Sequence, residues 1–266
     1  KSVFNMHGGV IQNCKGKYGG VSLKNGSRFI MEGGTISECE ANAGGGLYAD
    51  NSIVTINKGT ISGCSAGAGG GLYATNSSKI TINNGTISGC KAVNGYGGGL
   101  YAANNSTATI EGGTISECCT TSDIGMGGGL YAYSSTITIS GGTIENNKAT
   151  YGGGVALNSV IKFEKPITNW TVIGNEAYAT GGVGGGIKLE NGSMDVSAGS
   201  NRIYNNTAGG QGADIFLLND SSTIKLPNAA NMNATYRDSG IEIDGWYKDD
   251  NPRYTPSENG QVVKAN

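Results

Sequence analysis

The chain has 266 residues and a formal net charge of −2 with acidic and basic residues intermixed, so it has no electrostatic footprint for nucleic acid and no polybasic patch for a membrane surface. No apolar run approaches the roughly 18 residues that span a bilayer, and membrane insertion is not expected. Glycine reaches 48 residues but has no three-residue period, and with only 4 prolines the chain is not collagen-like; plentiful Thr, Ser and Asn suit outward strand positions and tight corners.

Taken in chain order, the first residues read as the tail of a repeat, because Phe4 and Met6 recur as Phe29 and Met31. The N-terminal end therefore reads as a cut face that a preceding coil would cover, and flanking domains of the same longer chain are expected. Next comes an apolar anchor, Ile11, which recurs as Ile36, Ile61, Ile87, Ile115, Ile144, Val172 and Ile203 at spacings of 25, 25, 26, 28, 29, 28 and 31. Three residues after each anchor stand Cys14, Cys39, Cys64, Cys90, Cys118, Asn147, Asn175 and Asn206, with no exception. A run of glycines follows, and then a second strand whose first inward residues are Val21, Leu47, Leu72, Leu100, Leu130, Val155, Ile187 and Ile215. Four residues further on lie Asn25, Asn51, Asn76, Asn104, Asn191 and Asn219, with Ser134 and Ser159 in the two remaining places. A third strand, exemplified by Val54/Ile56 and Ile80/Ile82 around an outward Thr, closes the repeat.

One such coil cannot bury its apolar faces alone, whereas coils stacked roughly 4.8 Å apart bury them all. Residues 1–226 are therefore expected to form an all-β, right-handed parallel β-helix of about eight three-stranded coils, a rod about 38 Å long. Residues 227–266, where the period stops and three of the four prolines fall, read as a C-terminal cap.

The ladders follow from the register. Stacked Asn side chains can hydrogen-bond along the axis, which assigns Asn25, Asn51, Asn76, Asn104, Asn191 and Asn219 to a structural Asn ladder at one corner and Asn147, Asn175 and Asn206 to the continuation of the cysteine column at another. Packed free thiols are favoured for that column; disulfides are the second reading, because parallel Cβ vectors hold the Cβ atoms farther apart than a bridge prefers. Zinc is not expected, since a straight column cannot wrap four ligands tetrahedrally, and no metal or cofactor is assigned. Cys119 breaks the pattern and is expected to point outward.

Candidate binding residues are outward. Tyr48, Tyr73, Tyr101 and Tyr131 form a column that is either a platform for sugar or peptide contacts or, as the favoured reading, a set of rings stacked on one another; Phe216 shares their register. The loops between the Cys/Asn corner and the glycines lengthen along the chain and form a ridge carrying Tyr96, Asp123, Met126 and Tyr178, the place where binding sits on a rigid scaffold, although insertions without function are tolerated there equally. Thr35/Ser37, Thr60/Ser62, Thr86/Ser88 and Thr114/Ser116 make a flat hydroxyl array similar to those of ice-binding proteins, and Thr is also simply a good exposed strand residue. For catalysis the sequence offers one His, His7, and one carboxylate cluster, Glu190, Asp195 and Asp220 beside Lys188, whose competing reading is solvated turn charge.

The segment Ile144-Glu-Asn-Asn147-Lys-Ala149-Thr-Tyr-Gly-Gly-Gly-Val155, echoed at Val172–Ala177 and Ile203–Ala208, resembles the paired GGAI and FxxN repeats of the chlamydial polymorphic outer membrane proteins. The Cys-bearing coils resemble the GGTIS…GGGLY repeats of large surface proteins of gut anaerobes. The resemblance implies a non-catalytic, adhesin-like or stalk module at the surface of a bacterium, extracellular, without cofactor, meeting a glycan or a host surface protein. The alternative is a polysaccharide-active β-helix enzyme, a glycoside hydrolase or lyase, acting through Glu190, Asp195 and Asp220.

Overall fold

A computed structural model of the chain describes residues 1–161, 170–195, 202–218, 222–225 and 262–264. Its strands stack coil on coil in parallel register and form a solenoid. Sheet A takes Val3–Met6, Arg28–Met31, Ile53–Ile56, Lys79–Ile82, Thr107–Ile110 and Thr136–Ile139. Sheet B takes the eight anchor strands, from Val10–Gln12 through Thr60–Ser62 to Trp170–Ile173 and Arg202–Tyr204. Sheet D takes the second strands, from Val21–Lys24 and Leu47–Asp50 to Ile187–Asp195, on which both Ile215–Leu217 and Ser222–Lys225 lie.

Where three strands per coil are expected, the rod has four. Sheet C, from Lys15–Tyr18 and Glu40–Ala43 to Thr207–Ala208, runs through the segment between the Cys/Asn corner and the glycines. These strands carry small or polar side chains, as in Glu-Ala-Asn-Ala, and lack the apolar alternation that marks a half-buried strand. Their pairing is supplied by the neighbouring coil, not by local pattern.

The register is the one the repeat dictates. Ile11, Ile36, Ile61, Ile87, Ile115, Ile144, Val172 and Ile203 pair one above another, as do Leu47, Leu72, Leu100 and Leu130. Phe4 and Met6 pair with Phe29 and Met31. Inward residues of sheets A, B and D, including Phe29, Met31, Ile36, Leu47, Ile82 and Leu189, form one continuous core along the axis. Trp170 fills that core near its described C-terminal end.

Corners are set by left-handed backbone. The residue just before the Cys/Asn position has positive φ in all eight coils: Asn13, Glu38, Gly63, Gly89, Glu117, Asn146, Gly174 and Asn205. Gly and Asn visit this region at least cost, and the two glutamates occupy it because stacking fixes the corner whatever residue it holds. Of the segment 227–266, only Val262–Lys264 is described, pairing antiparallel with Ser222–Lys225.

Candidate functional site

Three lines of side chains run along the rod. The first is the Cys/Asn corner. Each Asn there reaches back one coil and is itself met by the next. Asn147 Nδ2 donates to Ile115 O at 3.0 Å and to Asn175 Oδ1 at 2.9 Å. Asn175 Oδ1 also accepts from the Asn147 backbone N–H at 3.0 Å, and Asn175 Nδ2 donates to Ile144 O and to Asn206 Oδ1. The run ends on Asp214, whose Oδ1 accepts from Asn206 Nδ2 at 2.8 Å, and burial pushes the Asp214 carboxyl up. Sequence reasoning missed Asp214, which lies eight residues from Asn206 and stands where the other coils carry the last glycine of the run.

The cysteines use the same geometry. Cys64, Cys90 and Cys118 direct Sγ toward Ile36 O, Ile61 O and Ile87 O at 3.8 Å, the same one-coil-back reach that Asn147 makes. All six cysteines are free thiols, four of the column fully buried and Cys14 half-buried. Burial pushes the Cys39 thiol up to about 11, and the neighbouring Cys90 thiol together with burial raises Cys64. Cys119 sits on sheet C, half-buried and off the column.

The second line is aromatic. Tyr73 and Tyr101 stack at 4.8 Å between ring centroids and Tyr101 and Tyr131 at 5.2 Å, while Tyr48 meets Tyr73 edge-on at 5.6 Å. Although they point away from the core, the rings shield each other. Tyr48 is only 7% exposed and Tyr131 3%, with Tyr73 and Tyr101 half-buried. Two rings come from outside the predicted register. Tyr18 of sheet C stacks on Tyr48 at 4.1 Å, where the first coil has Ser22. Tyr96 of the ridge lies against both Tyr101 and Tyr131. Beyond Tyr131 the column passes through Ala156 and Lys188 to Phe216. Lys188, 5% exposed, pairs with Glu190 at 2.9 Å and reaches over the Tyr151 ring.

Burial, aided by the negative charge of Asp50, pushes the Tyr48 phenol up to about 12, and burial also raises Tyr73, Tyr101 and Tyr131. Below pH about 10 folded and unfolded chains both keep their phenols protonated, so this contribution to stability is complete there. As pH climbs toward the folded-state value, the unfolded chain loses protons first and stability falls. In an alkaline titration, phenolate absorbance of part of the 13 tyrosines is therefore expected to appear late and together with loss of the β-sheet dichroism signal. Ionisation of every tyrosine near pH 10 with the fold intact contradicts it.

The third line is the ridge. Tyr96, Met126, Tyr151 and Val183 stack through single parallel bridges, so the lengthening loops continue the ladder. Asp123 is exposed, Ile124 is 55% and Tyr178 43% exposed, and the Tyr178 hydroxyl accepts a 3.4 Å bond from Thr150.

At the corner from sheet D to sheet A the expectation needs correction. Asn25, Asn51, Asn76 and Asn104 are exposed, with φ of 57, 47, 54 and 54°, and form no Asn-to-Asn ladder. Asn76 donates to Asp50 and Asn104 to Thr75 instead. Their role is conformational, since Asn tolerates the left-handed turn. The inward ladder at this corner is made by serines: Ser52 N–H donates to Ser78 Oγ at 3.0 Å and Ser78 N–H to Ser106 Oγ at 3.2 Å. The signal was present in the Ser that follows each corner Asn within two residues. Asn191 pairs with Asn158 in the backbone ladder, and Asn219 lies outside the described residues. A short polar ladder unforeseen in the sequence links Glu32, Asn57 and Asn83.

The Thr/Ser array is in register over four coils and half-buried. Of the carboxylate cluster, Glu190 is half-buried and paired with Lys188, Asp195 ends a strand of sheet D, and Asp220 lies outside the described residues. No three His, Cys, Asp or Glu side chains among the described residues converge on a point that would hold a metal ion. No helix among the described residues is long and apolar enough to cross a membrane.

No curated protein and no solved structure gives a match to this chain. The family model described as the right handed beta helix region matches residues 2–157, which covers the coils that carry the five column cysteines and Tyr48, Tyr73, Tyr101 and Tyr131. By that match and by its parallel stacked coils, the chain belongs to the right-handed β-helix family.

Proposed function

We propose that this chain is a non-catalytic spacer and adhesive module of a bacterial cell-surface protein, holding glycans or host surface proteins along the exposed loop ridge, which the largely buried tyrosine column supports. The observation that carries this reading is the continuity of ridge and column. Tyr96 of the ridge lies against both Tyr101 and Tyr131, so the exposed loops rest on a rigid aromatic spine. Rigid support lowers the ordering cost of binding, and aromatic rings backed by polar tips suit sugar and peptide contacts. The likeness of its coils to repeats of bacterial surface proteins supports the setting.

The test is retention on a glycan and mucin array, with an unrelated β-helix as reference. Retention is expected to exceed the reference and to fall at least tenfold in a Tyr178→Ala/Ile124→Ser variant, whose exposed positions leave the core untouched. Retention no greater than that of the reference removes the adhesive role. Release of reducing ends from a polysaccharide panel, lost in Glu190→Gln, replaces it with the enzymatic reading.

A further inference from the structure

The cysteine column suits a ligand that the tetrahedral argument against zinc leaves untouched. Each sulfur repeats one placement, next to a carbonyl of its own rung: Ser37 O for Cys39 at 3.2 Å, Ser62 O for Cys64 at 3.3 Å, Ser88 O for Cys90 at 3.3 Å and Ser116 O for Cys118 at 3.2 Å. Equal placement makes neighbouring sulfurs translated copies one rung, roughly 4.8 Å, apart. Two metal–thiolate bonds of about 2.3 Å laid end to end cover nearly that distance. Side chains stand across the strands, so a cation on the line between two sulfurs meets each one to the side of its Cβ–Sγ bond; a sulfur bound on one side cannot bond a second cation diametrically opposite, and filled gaps share no sulfur. Glycine flanks the column: a Cβ added at Gly71 or Gly99 would stand 3.2 Å from Cys90 or Cys118 Sγ.

We propose that Cys14, Cys39, Cys64, Cys90 and Cys118 form a binding site for soft monovalent d10 cations, copper(I) or silver(I), each held two-coordinate between successive sulfurs. Thiolates select such cations, and two-coordination needs no convergence of four donors. One cation between two thiols forms two metal–sulfur bonds and releases two protons, leaving a singly negative S–M–S unit. With two gaps filled, four thiols have given up four protons to two cations, and the column carries two net negative charges. No electron is transferred. Because uptake releases protons, it weakens as pH falls. The site ends at Cys118, where Asn147 takes over the corner.

The experiment uses the full chain, reduced and kept anaerobic, titrated with silver(I) nitrate and followed by native mass spectrometry and silver-edge X-ray absorption. Up to two silver ions per folded chain are expected, each with two sulfur neighbours, and zinc in the same assay is not retained. Cys39→Asn installs the residue that the fold itself uses at this corner and isolates Cys14, leaving three adjacent sulfurs and an expected one ion. Cys90→Asn, which isolates Cys118, is likewise expected to leave one, and Cys119→Ser two. Uptake unchanged by Cys39→Asn and Cys90→Asn, three or four sulfur neighbours per ion, or binding only with loss of the β-sheet signal overturns the proposal.

Discussion

Gly70→Ala is expected to cost about 3 kcal/mol in a urea titration, the upper part of the overpacking range. The added Cβ would stand 2.5 Å from Gly98 O and from both Lys91 N and Lys91 C, all backbone atoms of the next coil. A side chain in the way could rotate; a backbone locked into four parallel sheets cannot. Relief would require lifting one coil from its neighbour, which breaks the Gly70 N–H to Gly97 O bond and its counterparts along the glycine run. Gly16→Ala is the matched control, because its nearest neighbour is Tyr18 O at 3.6 Å, and it is expected to change stability by less than about 0.5 kcal/mol. Equal effects of the two substitutions would show that the close approach of coils does not set the glycine requirement.

Asn175→Ala is expected to be comparably damaging, about 4 kcal/mol, and for a different reason. It leaves the Asn147 N–H and one N–H of the Asn147 amide without a partner in a dry corner, at about 1–3 kcal/mol for each unmet group before relaxation, while Asn206 Oδ1 keeps the Asn175 backbone N–H. Asn175→Cys is expected to recover roughly half of that loss. A thiol keeps a weak donor aimed at the preceding anchor carbonyl, as Cys118 does toward Ile87 O, and fills part of the space. Thermal or urea unfolding of the two variants side by side decides it. If Cys and Ala are equally destabilising, the five thiols and three amides are not interchangeable rungs of one ladder.

The long-range architecture was legible because it is periodic. The constant three-residue step from Ile36 to Cys39, or from Val172 to Asn175, can persist only if every coil presents the same corner to its neighbour. Cys64 above Cys39 and Leu72 above Leu47 are therefore consequences of spacing alone, and so is the parallel pairing that places them there. Pattern failed where the stabilising partner is another coil's backbone. Sheet C has no apolar alternation, and Glu40–Ala43 is a strand only because Lys15–Tyr18 and Ser65–Ala68 lie on either side of it.

The side-chain lines divide in the same way. Asn147, Asn175 and Asn206 were assigned to the column from register and do bond to one another. Asn25, Asn51, Asn76 and Asn104 have an equally constant register but point to solvent, because a left-handed residue swings its side chain outside the corner while the following Ser turns in. Constant spacing identifies equivalent positions and leaves the direction of the side chain open wherever φ is positive.

What the sequence determined by itself was the repeat, the inward residues of sheets A, B and D, and the rungs of the Cys/Asn column, since hydrophobic burial and coil length are properties of the chain order. Only the tertiary structure decided the fourth sheet, the placing of Tyr18 and Tyr96 on the aromatic column, and the capping of the Asn ladder by Asp214. Each of these depends on what a side chain or backbone segment meets on another face or coil of the rod, and such contacts are set by packing in three dimensions rather than by any period along the chain.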